Sequence, residues 1–119
     1  MKKIEANGTP AFQGDCMFRT VAALPPGAVK QIVPPGGAVV AHSETDHHHD
    51  ATGAAFEFYA LPDDPMRSFI VARAPVKITH HRSTDTHEAF ELLAPGGDVV
   101  WEIGRQREYT PDGWRQVAD

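Results

Sequence analysis

Proline and glycine interrupt this chain too often for long helices to form between them. The 119 residues include ten prolines and ten glycines, which gather in turn-forming clusters such as residues 24–28, 34–37 and 94–98. Proline cannot donate to a backbone ladder, and glycine adopts the conformations that tight turns require. The segments between the clusters are short, apolar and rich in β-branched residues, which is typical of strands. The spacing therefore predicts an all-β fold.

Seven or eight of these segments have the pattern of short strands. Alternation places Val76, Ile78 and His80 on one face of their segment, as expected for a strand with one buried side. The predicted strands cover residues 16–21, 30–33, 38–42, 54–61, 68–73, 76–80, 88–93 and 99–103. Residues 110–117 instead predict a short helical turn, with Thr110 as its N-cap.

Chain length and turn spacing together predict one domain over residues 1–119, with residues 1–11 as a loosely ordered lead-in. The predicted architecture is a small, mainly antiparallel β-sandwich or barrel, with a jelly roll as one form of it. A short C-terminal helical turn completes this prediction.

The charge balance argues against nucleic acid and anionic membranes as partners. The formal net charge is −5 and the pI about 5.7, so the surplus of Lys and Arg that neutralises phosphates is missing. Cys16 is the single cysteine, which excludes an intramolecular disulfide and fits a reducing compartment. The first residues lack the apolar run of a signal peptide, and no stretch approaches the roughly 20 apolar residues of a membrane span. We therefore expect a soluble, cytoplasmic protein.

The seven histidines fall into two short windows, and this clustering predicts a metal site. The first window holds His42, His47, His48 and His49, and the second holds His80, His81 and His87. Zinc, nickel, iron and copper all accept neutral imidazole nitrogen. On extended backbone, His47 and His49 lie on one side, about 6–7 Å apart by the strand rise. We predict that these two bind a divalent transition metal together with His87 or His80 from the second window.

Other interpretations of these residues stay open. The first histidine window can be a solvated loop with incidental metal affinity, as in an engineered tag. His42 is better explained as a hydrogen-bonded residue at the core edge, and His81 is out of phase with the apolar face of its strand. Cys16 lies in an apolar strand, which favours a small buried hydrophobe over a thiolate nucleophile; the alternative is a catalytic Cys–His pair.

The segment from Arg105 to Tyr109 is the densest charged run near the C-terminus. Arg105, Arg107 and Tyr109 can form an edge that recognises a protein partner, since arginine is a forked hydrogen-bond donor. An edge strand blunted by charge against aggregation explains the same run equally well.

Taken together, these motifs resemble a family of small uncharacterised bacterial and prophage-type proteins. The shared motifs are Gln13-Gly14-Asp15, the Leu-Pro-Pro-Gly-Ala turn at 24–28, the His-rich segment 41–49, Pro95-Gly96, and Arg-Gln-Arg-Glu-Tyr-Thr-Pro at 105–111. The resemblance places the downstream histidine of the pattern on His87. Asp46 stands where the family pattern has glycine, and residues 82–86 look like an insertion. The resemblance implies no particular activity.

A looser similarity connects the chain to cupins, in which a His-x-His pair and a later histidine hold a metal inside a jelly roll. The glutamate that usually follows the pair is missing, because Asp50 comes too early and Glu57 too late. The similarity implies a metal-binding β-barrel, and a fold alone does not give a function.

Two functions from different classes follow from the sequence. The first is a β-barrel that binds a divalent transition metal through its clustered histidines, with no reaction assigned. The alternative is a non-catalytic protein-binding module, such as a phage or mobile-element accessory acting on a host protein. Clustered imidazoles would also suit a pH-responsive assembly. Exposed strand edges favour self-association, with a homodimer as the default.

Overall fold

The computed structural model describes residues 1–42, 48–81, 86–105, 107–110 and 113–116, and these residues form strands and turns without a helix. The predicted all-β class is therefore confirmed. The strands are β1 (Lys2–Ile4), β2 (Ala11–Gln13), β3 (Cys16–Val21), β4 (Val29–Gln31), β5 (Ala38–His42), β6 (His48–Gly53), β7 (Phe56–Ala60), β8 (Arg67–Ala72), β9 (Val76–His81), β10 (Thr86–Leu92), β11 (Val99–Arg105), β12 (Arg107–Thr110) and β13 (Gly113–Gln116).

Two sheets pack around one core and make a β-sandwich. The first sheet has the order β1-β10-β9-β6-β5, and the second has the order β2-β3-β11-β8-β7-β4. Neighbouring strands are antiparallel, except that β1 runs parallel to β10. Buried apolar side chains from both sheets form a single cluster, which includes Ile78 and Leu92 from the first sheet and Phe18 and Trp101 from the second.

The apolar phase predicted for β9 is confirmed, because Val76, Ile78 and His80 are all fully buried. Strand β11 holds the centre of the second sheet, where it pairs with β3 on one side and β8 on the other. Its Trp101 is also fully buried, and the indole Nε1–H donates to the Leu93 carbonyl at 3.2 Å. The buried apolar residues of β9 therefore determine that His80 faces the core.

The histidine-rich segment differs from the prediction, which placed no strand between residues 42 and 54. Residues 48–53 form β6, which pairs with β5 on one edge and β9 on the other. His49 and Ala51 are fully buried, whereas His48 and Asp50 are partly exposed. This is the alternation of a half-buried strand. The polarity of histidine and aspartate hid it in the sequence, because the buried face carries an imidazole in place of an aliphatic side chain.

The two chain ends also differ from the prediction. The short C-terminal helical turn is not present in the described residues, where Tyr109 pairs with Trp114 in a hairpin of β12 and β13. Pro111 and Asp112 lie outside the described residues. At the other end, the predicted lead-in contains the edge strand β1, because Ile4 is buried in the core.

Candidate metal centre

A tight hairpin between β2 and β3 brings three polar side chains to one end of the second sheet. Gln13 is the register partner of Cys16, which leaves Gly14 and Asp15 as a two-residue turn. Gly14 has φ of +58°, and a type II′ hairpin turn requires positive φ at its first central residue. The side chains of Gln13, Asp15 and Cys16 are all buried despite their position at a turn.

His49 reaches this hairpin from β6 in the opposite sheet. Its Nδ1 lies 2.9 Å from Gln13 Oε1, and its Nε2 lies 3.3 Å from Asp15 Oδ1. The rings of His49 and Phe18 form a T-shaped contact, with their centroids 6.3 Å apart. The imidazole therefore spans the interface between the sheets inside the core.

The amide of Gln13 determines which nitrogen of His49 carries a proton. Its Nε2 donates to the carbonyls of Ile78 at 3.1 Å and Glu88 at 2.9 Å. The amide nitrogen is thereby oriented away from the imidazole, so Oε1 faces His49 as an acceptor. A neutral His49 then donates from Nδ1 and keeps its lone pair at Nε2. Metal-binding histidines commonly donate their second ring nitrogen to an oxygen in this way.

A lone pair at Nε2 faces the carboxylate oxygen of Asp15, and a positively charged group between the two atoms would stabilise this contact. Either a second proton or a metal ion meets this need. Two donors at about 2.0–2.2 Å from a tetrahedral zinc lie roughly 3.3–3.5 Å apart, which agrees with the 3.3 Å between His49 Nε2 and Asp15 Oδ1. The same distance also allows a direct hydrogen bond between the two side chains.

Cys16 completes a three-donor set. A ligand atom from each of Asp15, Cys16 and His49 lies within 4.8 Å of the other two. Nitrogen, sulfur and oxygen donors together suit zinc. All three side chains are at most 1% exposed. The cluster can therefore bind a divalent metal in the buried core.

The structure brings the two histidine windows together. The register pairs His48 with His81 and His49 with His80, and it pairs His80 with His87 on β10. The rings of His49 and His80 stack, with centroids 4.1 Å apart and planes 4° from parallel. Lone pairs lie in the ring planes, so parallel stacked rings do not point at one ion. Stacking on His80 restricts the orientation of the His49 ring in the core.

The remaining predicted ligands stay predictions. His47 lies outside the described residues, and for His87 the structure describes the backbone within β10. Of the predicted partner-binding residues, Arg105 is the last residue of β11, and its backbone N–H donates to the Met66 carbonyl at 3.1 Å. Arg105 also lines a cavity of about 350 Å³ with Met66 and Ile103. Arg107 and Tyr109 lie in β12.

Sequence reasoning missed Gln13 and Asp15 as functional residues, and it interpreted Cys16 as a small buried hydrophobe. His49 lies 36 residues after Gln13 and 34 after Asp15, so only the folded sandwich shows these contacts. One signal was present in the sequence: Gln13 and Asp15 flank a glycine immediately before an apolar strand that begins with the single cysteine.

A second buried carboxylate, Glu102, lies on the other face of the second sheet, and two arginines balance its charge. Arg19 Nε lies 2.8 Å from its Oε1, and Arg67 Nη2 lies 2.6 Å from its Oε2. Burial by itself would raise the pKa of Glu102, but the hydrogen bonds from Arg67 and Arg19 outweigh it and hold the pKa below its ordinary value. This carboxylate is committed to an ion-pair network.

We expect Glu102→Gln to remove part of the pH dependence of folding. Because the pKa is lower in the folded state, ionised Glu102 stabilises the protein at neutral pH, and this contribution is lost as the pH falls through the folded pKa. The arginines are nearly half exposed, so the contribution is about 1–2 kcal/mol after screening by solvent. Urea unfolding at neutral and acidic pH checks this. Parallel pH curves for the parent protein and the variant would contradict it.

Comparison with known proteins gives one match. The sequence model of a family described as "Domain of unknown function (DUF8820)" matches residues 12–106. No curated protein and no solved structure matches the chain, and the similarity to cupins and the specific prophage-type pattern are not confirmed. None of the described residues forms a helix long and apolar enough to cross a membrane.

Proposed function

This chain belongs to the family described as domain of unknown function DUF8820, and we propose that it is a metal-binding β-sandwich whose ion is held by Asp15, Cys16 and His49. Zinc fits this donor set best. The observation that carries the proposal is the position of His49 between two acceptor oxygens, one on Gln13 and one on Asp15. A neutral imidazole that donates to Gln13 turns the lone pair of its Nε2 toward Asp15, where an ion can bind to both side chains.

The burial of the donors supports a structural ion in preference to a catalytic one. A catalytic zinc keeps an open position for water or substrate, whereas a structural zinc is closed by four ligands. The three donors are buried, and they come from both sheets, so the ion would tie the β2–β3 hairpin to β6. The sequence predicts His87 as a metal ligand, and its backbone lies on the same cross-strand row as His49 and His80, so we propose it as the fourth ligand.

Gln13 has a supporting role in this proposal. It fixes the His49 tautomer through one hydrogen bond and is itself anchored by two backbone carbonyls. It also lines a cavity of about 220 Å³ together with Phe12 and Gly14. A metal site needs an entry path, and this cavity adjoins the hairpin that carries two of the donors.

Metal analysis of the full chain, expressed without a histidine tag, tests the proposal. We expect one strongly bound zinc per chain. After exchange for Co²⁺, a thiolate-to-cobalt charge-transfer band in the near ultraviolet is expected, because Cys16 is the single thiol. Cys16→Ser should abolish the band, and His49→Gln should release the ion.

The matched control is His48→Gln, which changes the neighbouring residue on the same strand but on its partly exposed face. This variant should keep the cobalt band at full intensity. Protein that contains no zinc and gives no thiolate band with Co²⁺ would refute the buried site. A band that survives in His49→Gln would assign the cysteine to a different ligand set.

A further inference from the structure

One edge of the sandwich exposes several large apolar side chains to solvent. It consists of β4, the last strand of the second sheet, β5, the last strand of the first sheet, and the residues 32–37 that connect them. Val29 is 48% exposed, Ile32 is 92% exposed and Val39 is 39% exposed. Apolar residues that gather on one surface of a soluble domain mark an interaction site. We refer to residues 29–39 as the apolar edge.

The gap between the two sheets is open beside the apolar edge. A cavity of about 350 Å³ is lined by Val39 of β5 and by Phe58 and Ala60 of β7. All residues of β7 are partly exposed, and Ala60 is the register partner of Val29 on β4. The exposed valines of the two edge strands therefore lie beside the same apolar cavity.

The distribution of charge favours a second copy of this chain as the partner of the apolar edge. Between Arg19 and Glu44 the sequence contains one charged residue, Lys30, and its Nζ lies 2.8 Å from Glu57 Oε2. A two-fold contact brings the same surface of both copies together, so like charges on that surface would repel. The centre of an interface is depleted of charged residues. The apolar edge meets this condition in a protein whose net charge is −5.

The size of the apolar edge also fits a dimer. An interface of standard size buries about 800 Å² of each partner, which is roughly an eighth of the 6608 Å² of accessible surface. The apolar edge and the lining of the adjoining cavity comprise roughly 20 residues, and one side of such an interface uses about 20–30. The rim of the cavity carries both signs of charge, because Arg67 lies beside Asp64. A charged rim around an apolar centre is usual for an interface.

The register of β5 indicates how the two copies meet. The pairing of β5 with β6 shifts between Val39 and Ala41, which is a bulge in an edge strand. Bulges twist an edge away from further strand pairing. The contact therefore uses the side chains of the apolar edge and does not extend the sheet from one copy into the other.

We propose that the apolar edge is the contact surface of a homodimer, in which Ile32 of each copy packs over the open cavity of the other. This contact is reciprocal, as a two-fold axis requires. It covers the apolar side chains of β4 and β5 and closes the gap between the sheets. The contact is independent of the buried metal site, because β2 and β4 are opposite edges of the second sheet.

Sedimentation velocity of the untagged full chain, over a range of concentrations, tests the dimer. The parent protein should sediment with twice the 13.0 kDa mass of the chain, both with zinc and with chelator. Ile32→Asp should raise the dissociation constant of the dimer more than about tenfold, as expected for a residue at the centre of an interface. Val39→Asp should act in the same direction. Because Ile32 is exposed in the single chain, its variant should keep the circular dichroism spectrum of the parent.

Phe12→Asp is the matched control. Phe12 is 52% exposed on β2, at the opposite edge of the second sheet, so this variant should remain a dimer. A parent protein that is monomeric at 100 μM would overturn the proposal, even if it bound a different protein through the same edge. So would a dimer that persists in Ile32→Asp or that Phe12→Asp disrupts equally. A dimer that forms only with zinc would assign the association to a shared ion instead of the apolar edge.

Discussion

Gln13→Leu is expected to lower the free energy of unfolding by about 3–5 kcal/mol, because it leaves several buried polar groups without their partner. The parent amide donates to the carbonyls of Ile78 and Glu88 and accepts from His49 Nδ1. Leucine has a similar size and can satisfy none of these groups. Each buried group left without a hydrogen bond costs about 1–3 kcal/mol.

The same substitution is expected to weaken zinc binding 10–100-fold, which is the usual effect of losing the residue that orients a ligating histidine. Without the Gln13 acceptor, His49 loses the contact that keeps its lone pair at Nε2. Urea unfolding of the metal-free protein measures the stability effect, and competition with a chromophoric chelator measures the affinity. The two readouts separate general destabilisation from loss of ligand orientation.

Gln31→Leu is the matched control for this prediction. Gln31 lies at the surface in β4, and its amide donates to the Val29 carbonyl two residues away. The same change of residue type there should alter stability by no more than about 0.5 kcal/mol and leave zinc affinity unchanged. Equal effects of the two variants would mean that Gln13 is not a partner of the metal ligand.

The sequence predicted the strands whose apolar residues follow a clear period. Both β3 and β5 begin and end at the predicted residues, because the proline and glycine clusters between them stop the backbone ladder. β6 escaped prediction because its buried face carries His49, and an imidazole counts as polar in any hydropathy pattern. The stabilising contacts of that face are hydrogen bonds and ring stacking, which depend on residues far along the chain.

Only part of the candidate site was predictable from the sequence. Clustering of the histidines pointed to His49, and the register of β6 with β9 brings together two windows that are separate in the sequence. The donors of different chemistry, Asp15 and Cys16, come from a hairpin in the other sheet. Their approach to His49 depends on how the two sheets pack, and a linear pattern carries no information about that packing.

Zinc is expected to raise the thermal midpoint of unfolding by more than about 10 °C over chelator-treated protein when free zinc is a thousandfold above its dissociation constant. At that excess, an ion that binds only the folded state contributes about 4 kcal/mol, and 1 kcal/mol corresponds to several degrees for a domain of this size. The shift arises because the donors belong to different elements, the β2–β3 hairpin and β6, and the unfolded chain does not hold them together.

Circular dichroism melts in zinc-buffered and chelator-containing solutions measure this shift, and the variants show which ion causes it. His49→Gln removes the ligand from the first sheet, so its melting point should respond to zinc far less than that of the parent protein. His48→Gln leaves Asp15, Cys16 and His49 in place and should keep nearly the whole shift. The side chain of His48 lies on the partly exposed face of β6, so it is not a donor of the inter-sheet ion. An undiminished zinc shift in His49→Gln would therefore contradict the inter-sheet ion and attribute the stabilisation to a different site.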